Sequence, residues 1–187
     1  MISTLAFVAS ALAIPPDLGS WQVLRDGDLW IGHTRARGLP WAQASTVLPG
    51  STQALVALLS DFERYPSFMD RIQETRIYEP DVVHILLDMP FPLASRDYVV
   101  RYTRQDQGTT VVFDFKAVEH PAALPVEGSI RLPRAEGQWR LEPVDAGHTR
   151  VTYTWNGELL GDFPDWALTK AWATQGDEVL GWLRKAL

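Results

Sequence analysis

The chain has 187 residues, a length for one domain with one sizeable core. It is 46% hydrophobic with eight tryptophans, and its formal charge of −6 argues against broad electrostatic binding to nucleic acid or anionic membrane. The absence of cysteine excludes disulfides, zinc–thiolate and iron–sulfur sites and cysteine nucleophiles.

Residues 1–13 carry no charged side chain. Ile2 to Leu12 has the length of a signal-peptide apolar region, and Ala11-Leu12-Ala13 fits the small-x-small cleavage rule. The n-region lacks Lys and Arg, so a short N-terminal helix docked on the domain is the alternative. Residues 14–20, with Pro15 and Pro16, read as an extended leader to a domain at 21–187. No apolar run is long enough for a transmembrane helix.

Trp30–Arg37 and Trp41–Leu48 have strand character and flank the turn residues Gly38-Leu39-Pro40. After Ser51 or Thr52 as N-cap, Leu55, Leu58, Leu59 and Phe62 follow a helical period that Tyr65-Pro66 ends. From Arg71 the period becomes two. Arg76–Glu79 and Val82–Met89 flank Pro80-Asp81, and Arg96–Gln105 and Thr109–Val118 flank Asp106-Gln107-Gly108. Ser129–Pro133 pairs with Gln138–Pro143 in this reading, and Thr149–Leu159 follows Asp145-Ala146-Gly147. The last segment is a helix opened by Pro164, with Leu168, Trp172, Gln175, Val179, Trp182 and Ala186 on one face. The fold class is therefore α+β: a helix-grip fold, with a curved antiparallel sheet wrapped around a long C-terminal helix and an internal hydrophobic cavity.

Glu119–Gly128 is too long and too apolar for an ordinary meander turn, so it serves either as a lid or as a loop packed flat on the core edge. Enzyme motifs are missing: there is no G-x-S-x-G, H-E-x-x-H, P-loop or G-x-G-x-x-G. The four histidines lack metal-ligand spacing, and no metal or other cofactor is expected. His84, mid-strand among apolar neighbours, reads first as a satisfied structural histidine. Together the aromatic residues suit a hollow that holds an apolar ligand.

Asp88-Met89-Pro90-Phe91-Pro92-Leu93-Ala94-Ser95-Arg96-Asp97-Tyr98-Val99 resembles the start of the central strand of START domains, the steroidogenic-acute-regulatory-protein-related lipid-transfer family. Gly128 to Arg131, Leu141-Glu142-Pro143, Thr149 to Tyr153, Gly161 to Trp166 and Leu183 to Leu187 extend the likeness in order. It covers about Trp21 to Leu187 and is of the small bacterial type, within the superfamily that includes Bet v-like proteins and polyketide cyclases. The resemblance implies a tunnel for one lipid, closed by the C-terminal helix and a loop similar to Glu119–Gly128. It also supports the leader, since small bacterial members often carry signal peptides. Sterol-transferring members keep a buried Glu–Arg pair. Here Tyr102 stands for the arginine and Val83 or His84 for the glutamate, which leaves Tyr102, with His84, as polar anchors.

The expected cavity is lined by Arg96, Tyr98, Val100 and Tyr102 of one strand face. His84, Phe113, Phe115, Tyr153, Trp155, Leu168 and Trp172 complete the wall, and Leu124, Phe163 and Trp166 form the gate. The expected function is non-catalytic binding, and transfer, of a lipid or other hydrophobic small molecule by a monomer that touches membranes transiently and binds no nucleic acid. A polyketide cyclase or aromatase is the alternative, with Tyr102, His84 or Arg96 as acid or base. A structural module filled by its own tryptophans is the third. The leader predicts a periplasmic or secreted protein, and without cleavage a cytoplasmic one. Intact-mass measurement from the native host should show a mature chain beginning at Ile14. A cytosolic protein beginning at Met1 or Ile2 contradicts it.

Overall fold

The computed structural model describes residues 14–91, 93–160 and 165–187. The expected leader at 1–13, Phe163 and the Trp166 side chain lie outside the described residues. Ten strands form one sheet: β1 (Gln22–Arg25), β2 (Trp30–Ala36), β3 (Leu39–Pro49), β4 (Ile72–Glu79), β5 (Val82–Leu87), β6 (Ser95–Gln107), β7 (Thr110–Ala117), β8 (Ser129–Arg131), β9 (Glu136–Pro143) and β10 (His148–Asn156). Their order is β1-β2-β3-β10-β9-β7-β6-β5-β4, with β8 added beside β6. Between β3 and β4 come helix α1 (Thr52–Ser60), a 3-10 turn (Phe62–Arg64) and the short α2 (Tyr65–Phe68). The Ser51 hydroxyl accepts from the Ala54 N–H and caps α1, as its sequence predicts. The last element is α3 (Asp165–Ala186).

One expected pairing differs. Ser129–Arg131 runs parallel to the start of β6 and does not form a hairpin with β9. β7 leaves β6 at Val100, so the β6 edge at residues 95–97 is open, and the loop after β7 carries the chain back to fill it. Two polar side chains hold β8 there: Ser129 Oγ and the Arg131 guanidinium both donate to the Asp97 carboxylate.

Helix α3 touches β1, β2, β3 and α2 but leaves the concave face of the remaining strands largely uncovered. Its contact with the sheet is close. A Cβ at Gly176 would stand 3.0 Å from Ala44 Cβ and 3.1 Å from Ile31 Cδ1, so a hydrogen at this position lets helix and sheet meet. Trp172, one turn earlier, is buried and donates its indole N–H to the Gly157 carbonyl at 2.8 Å. The core thus divides into a packed half under α3 and an unfilled half beside it.

Candidate functional site

Alternation along each strand decides which side chains face the unfilled half. Tyr98 and Tyr102 of β6, Phe115 of β7, Trp139 of β9, and Tyr153 and Trp155 of β10 all point into a cavity of about 590 Å³. Trp139 stacks on Tyr153 at 4.1 Å between ring centroids and Tyr153 on Trp155 at 4.6 Å, which makes a flat aromatic panel across two strands. Gly137 makes room for Phe115 beside it: a Cβ there would lie 2.4 Å from Phe115 Cζ and 2.3 Å from the Thr154 carbonyl oxygen. Ile85 and Leu87 continue the wall on β5. The opposite wall is one stripe of α3, Ala167, Ala171, Gln175 and Val179, each four residues from the next. At the mouth lie Met89, Phe91 and Leu93, from the connection between β5 and β6.

The wall's tyrosines are neutral, Arg71 and Arg134 are paired with Glu178 and Glu158, and Glu136 and Lys170 also border the cavity. Burial pushes the hydroxyls of Tyr98, Tyr102 and Tyr153 above their ordinary value, so all three are un-ionised phenols. Arg71 donates to both Glu178 oxygens, at 2.5 and 2.7 Å, and Arg134 is held bidentately by Glu158. Among the described residues no group of three or more potential metal ligands occurs.

Of the residues expected from sequence, Tyr98, Tyr102, Phe115, Tyr153 and Trp155 line the cavity. Val100 and Phe113 are buried in the packed core and do not reach the void. Leu168 and Trp172 also lie away from it. They share the α3 stripe of Gly176, which faces the sheet, while the small residues one position earlier face the cavity. Arg96 is 2% exposed but does not border the void. Its guanidinium donates to the carbonyls of Ala94, Leu159 and Leu160 and ties β6 to the chain leaving β10.

His84 sits on the outer face of the sheet, because Ile85 and Leu87 take the inner one. Its Nε2–H donates to Asp97 at 2.7 Å, and its Nδ1 accepts from the Tyr78 hydroxyl at 3.2 Å. Arg131, also bound to Asp97, donates to the Leu124 carbonyl at 3.1 Å, and His120 stacks on Tyr78 at 4.6 Å. The loop at 118–128 is therefore fastened to the outer face. Leu124 is 70% exposed and does not border the cavity, so of the two readings of this loop the structure has the flat-packed one. The lip missed by sequence reasoning is Met89-Pro90-Phe91. Its signal was a bulky apolar residue between two prolines in a strand connection.

The family model for the START domain matches residues 67–176. Among solved structures, a STAR-related lipid transfer protein from Xanthomonas axonopodis has a TM-score of 0.75 and 24% identity, covering 89% of this chain and 97% of that one. Human StAR-related lipid transfer protein 5 has a TM-score of 0.74 and 15% identity, covering 89% and 85%. An aromatase/cyclase from Streptomyces sp. R1128 has a TM-score of 0.56 and 14% identity, covering 78% and 92%. An uncharacterized protein of Pseudomonas aeruginosa is 39% identical over 82 residues, 43% of this chain. The matched segment spans only 40% of that curated relative.

Asp97 gives this frame a pH dependence. Burial pushes its carboxyl up, but the donors on His84, Arg131 and Ser129 outweigh that and hold it below its ordinary value. With the folded-state value depressed, its stabilisation is complete above about pH 3.8 and is lost as pH falls through the folded-state value. Asp97→Asn should cost about 3 kcal/mol at neutral pH. In urea unfolding the gap to the wild type should narrow below about pH 3.8. A gap of equal size at acid and neutral pH contradicts this role.

Proposed function

The chain belongs to the START domain family, and we propose that it binds a lipid or other hydrophobic small molecule in this cavity as a carrier. The observation that carries the reading is the cavity of about 590 Å³ walled by aromatic and aliphatic side chains. Burying ~400 Å² of apolar ligand at ~25 cal/mol per Å² yields a gross gain of ~10 kcal/mol before association costs. No chemical step is needed. A cyclase would need an acid or base tuned toward neutrality, whereas Tyr98, Tyr102 and Tyr153 are shifted away from it and His84 faces the other side of the sheet.

The lip supports transient contact with a membrane. Phe91 is 98% exposed at the mouth, where an apolar ring in water gains by entering a bilayer surface. Export is part of the same proposal: a monomeric carrier working outside the cytoplasm once the leader is cut.

Ala171→Trp, which fills the void from α3, should weaken binding of N-phenyl-1-naphthylamine about tenfold or more while the domain stays folded. Phe91→Ser should leave that affinity unchanged and slow transfer of a fluorescent lipid between vesicles. Unchanged binding by the Ala171→Trp variant, shown folded by circular dichroism, contradicts the internal site.

A further inference from the structure

Three phenols line the cavity, Tyr98, Tyr102 and Tyr153, and they are not equivalent. The Tyr102 hydroxyl has that of Tyr65 beside it, and the Tyr153 hydroxyl has the Gln175 side chain. Among the described residues the Tyr98 hydroxyl has no such neighbour, and burial alone raises it. The strand pairing supplies the reason. β7 runs beside β6 only from Val100 onward, and β8 only along Ser95–Asp97. Tyr98 falls in the interval, so neither strand on that side places a residue opposite it. Across the other edge its partner is the apolar Ile85.

The hydroxyl is not sealed in. Among the described residues, the fully buried side-chain polar atoms without a partner are the indole nitrogens of Trp41 and Trp155, and the Tyr98 oxygen is not one of them. Tyr98 is half-buried although its side chain lies within the concave face of the sheet, so its accessible surface belongs to the cavity. The two indoles are closed to a guest, whereas this O–H is open to one. A phenol held above its ordinary value keeps its proton, and a donor that faces an apolar space stays unsatisfied until something accepts from it.

We infer that the Tyr98 hydroxyl is the polar anchor of the cavity, and that it recognises the oxygen of an apolar guest of the ketone or alcohol class. This rests on the reading of the cavity as a binding site and adds its specificity. The stacked rings of Trp139, Tyr153 and Trp155 supply flat apolar surface for the rest of such a guest.

The test uses the full chain with N-phenyl-1-naphthylamine, which carries no oxygen, as the fluorescent reporter. Competitors are 1-tetralone and tetralin, ring molecules of one shape that differ by a carbonyl oxygen. Tyr98→Phe removes the hydroxyl and little else. Relative to tetralin, it should need about tenfold more 1-tetralone to displace the reporter than the wild type does, the loss of one hydrogen bond. The infrared carbonyl stretch of bound 1-tetralone should lie below its value in hexane in the wild type and return toward that value in Tyr98→Phe. If the variant does not fold, the wild-type stretch decides alone. An unchanged competitor ratio in folded Tyr98→Phe, a stretch that this variant leaves where it was, or a wild-type stretch at the hexane value overturns the assignment while leaving the binding site standing. Failure of the wild type to take up the reporter or either competitor overturns both.

Discussion

One helix cannot fill the concave face of a ten-stranded sheet. α3 makes its close contacts with β1, β2 and β3, where Gly176 lets the backbones approach, and the remaining strands face a gap. Protein interiors tolerate little empty space. In the proposed role an apolar ligand fills that gap. The aromatic panel, the neutral phenols and the small residues of α3 all follow from that one mismatch of widths.

Holding such a gap open requires a rigid frame, and two adjacent residues of β6 supply much of it. Alternation turns Arg96 and Asp97 to opposite faces. Arg96 fastens the chain that leaves β10 through three carbonyls, and Asp97 gathers His84, Ser129 and Arg131 on the outside. Through Arg131 the same carboxylate anchors the loop at 118–128. Polar groups hold the frame from outside and from one end, and the cavity keeps a mainly aromatic and aliphatic wall. The lip residues Met89, Phe91 and Leu93 lie outside this network, and Phe91 has little to pack against.

Much of this was legible in the sequence. Period-two alternation with aromatic residues on one face gave the sheet and five cavity residues, because one register settles a whole strand face. Stretches such as Phe91-Pro92-Leu93-Ala94-Ser95-Arg96-Asp97-Tyr98 pointed to the family that the comparison supports. The helix was harder. An apolar stripe on α3 says which side is buried but not whether it meets a sheet or a void, so Leu168 and Trp172 were expected where Ala167 and Ala171 stand. Short-range spacing also made Ser129–Pro133 a hairpin partner of β9. The observed parallel pairing depends on where β7 leaves β6 and on a carboxylate 32 residues away from Ser129. His84 looked like a cavity anchor by family position, and the register of β5 put it outside.

In the proposed role the cavity holds a hydrophobic guest. Native mass spectrometry of freshly purified protein reads that claim directly. The predicted result is a complex heavier than the polypeptide by one small hydrophobic molecule, which solvent extraction recovers unaltered. Bare polypeptide that takes up no lipid even after incubation with a total lipid extract, or a guest released as a cyclised product of what was added, would contradict it.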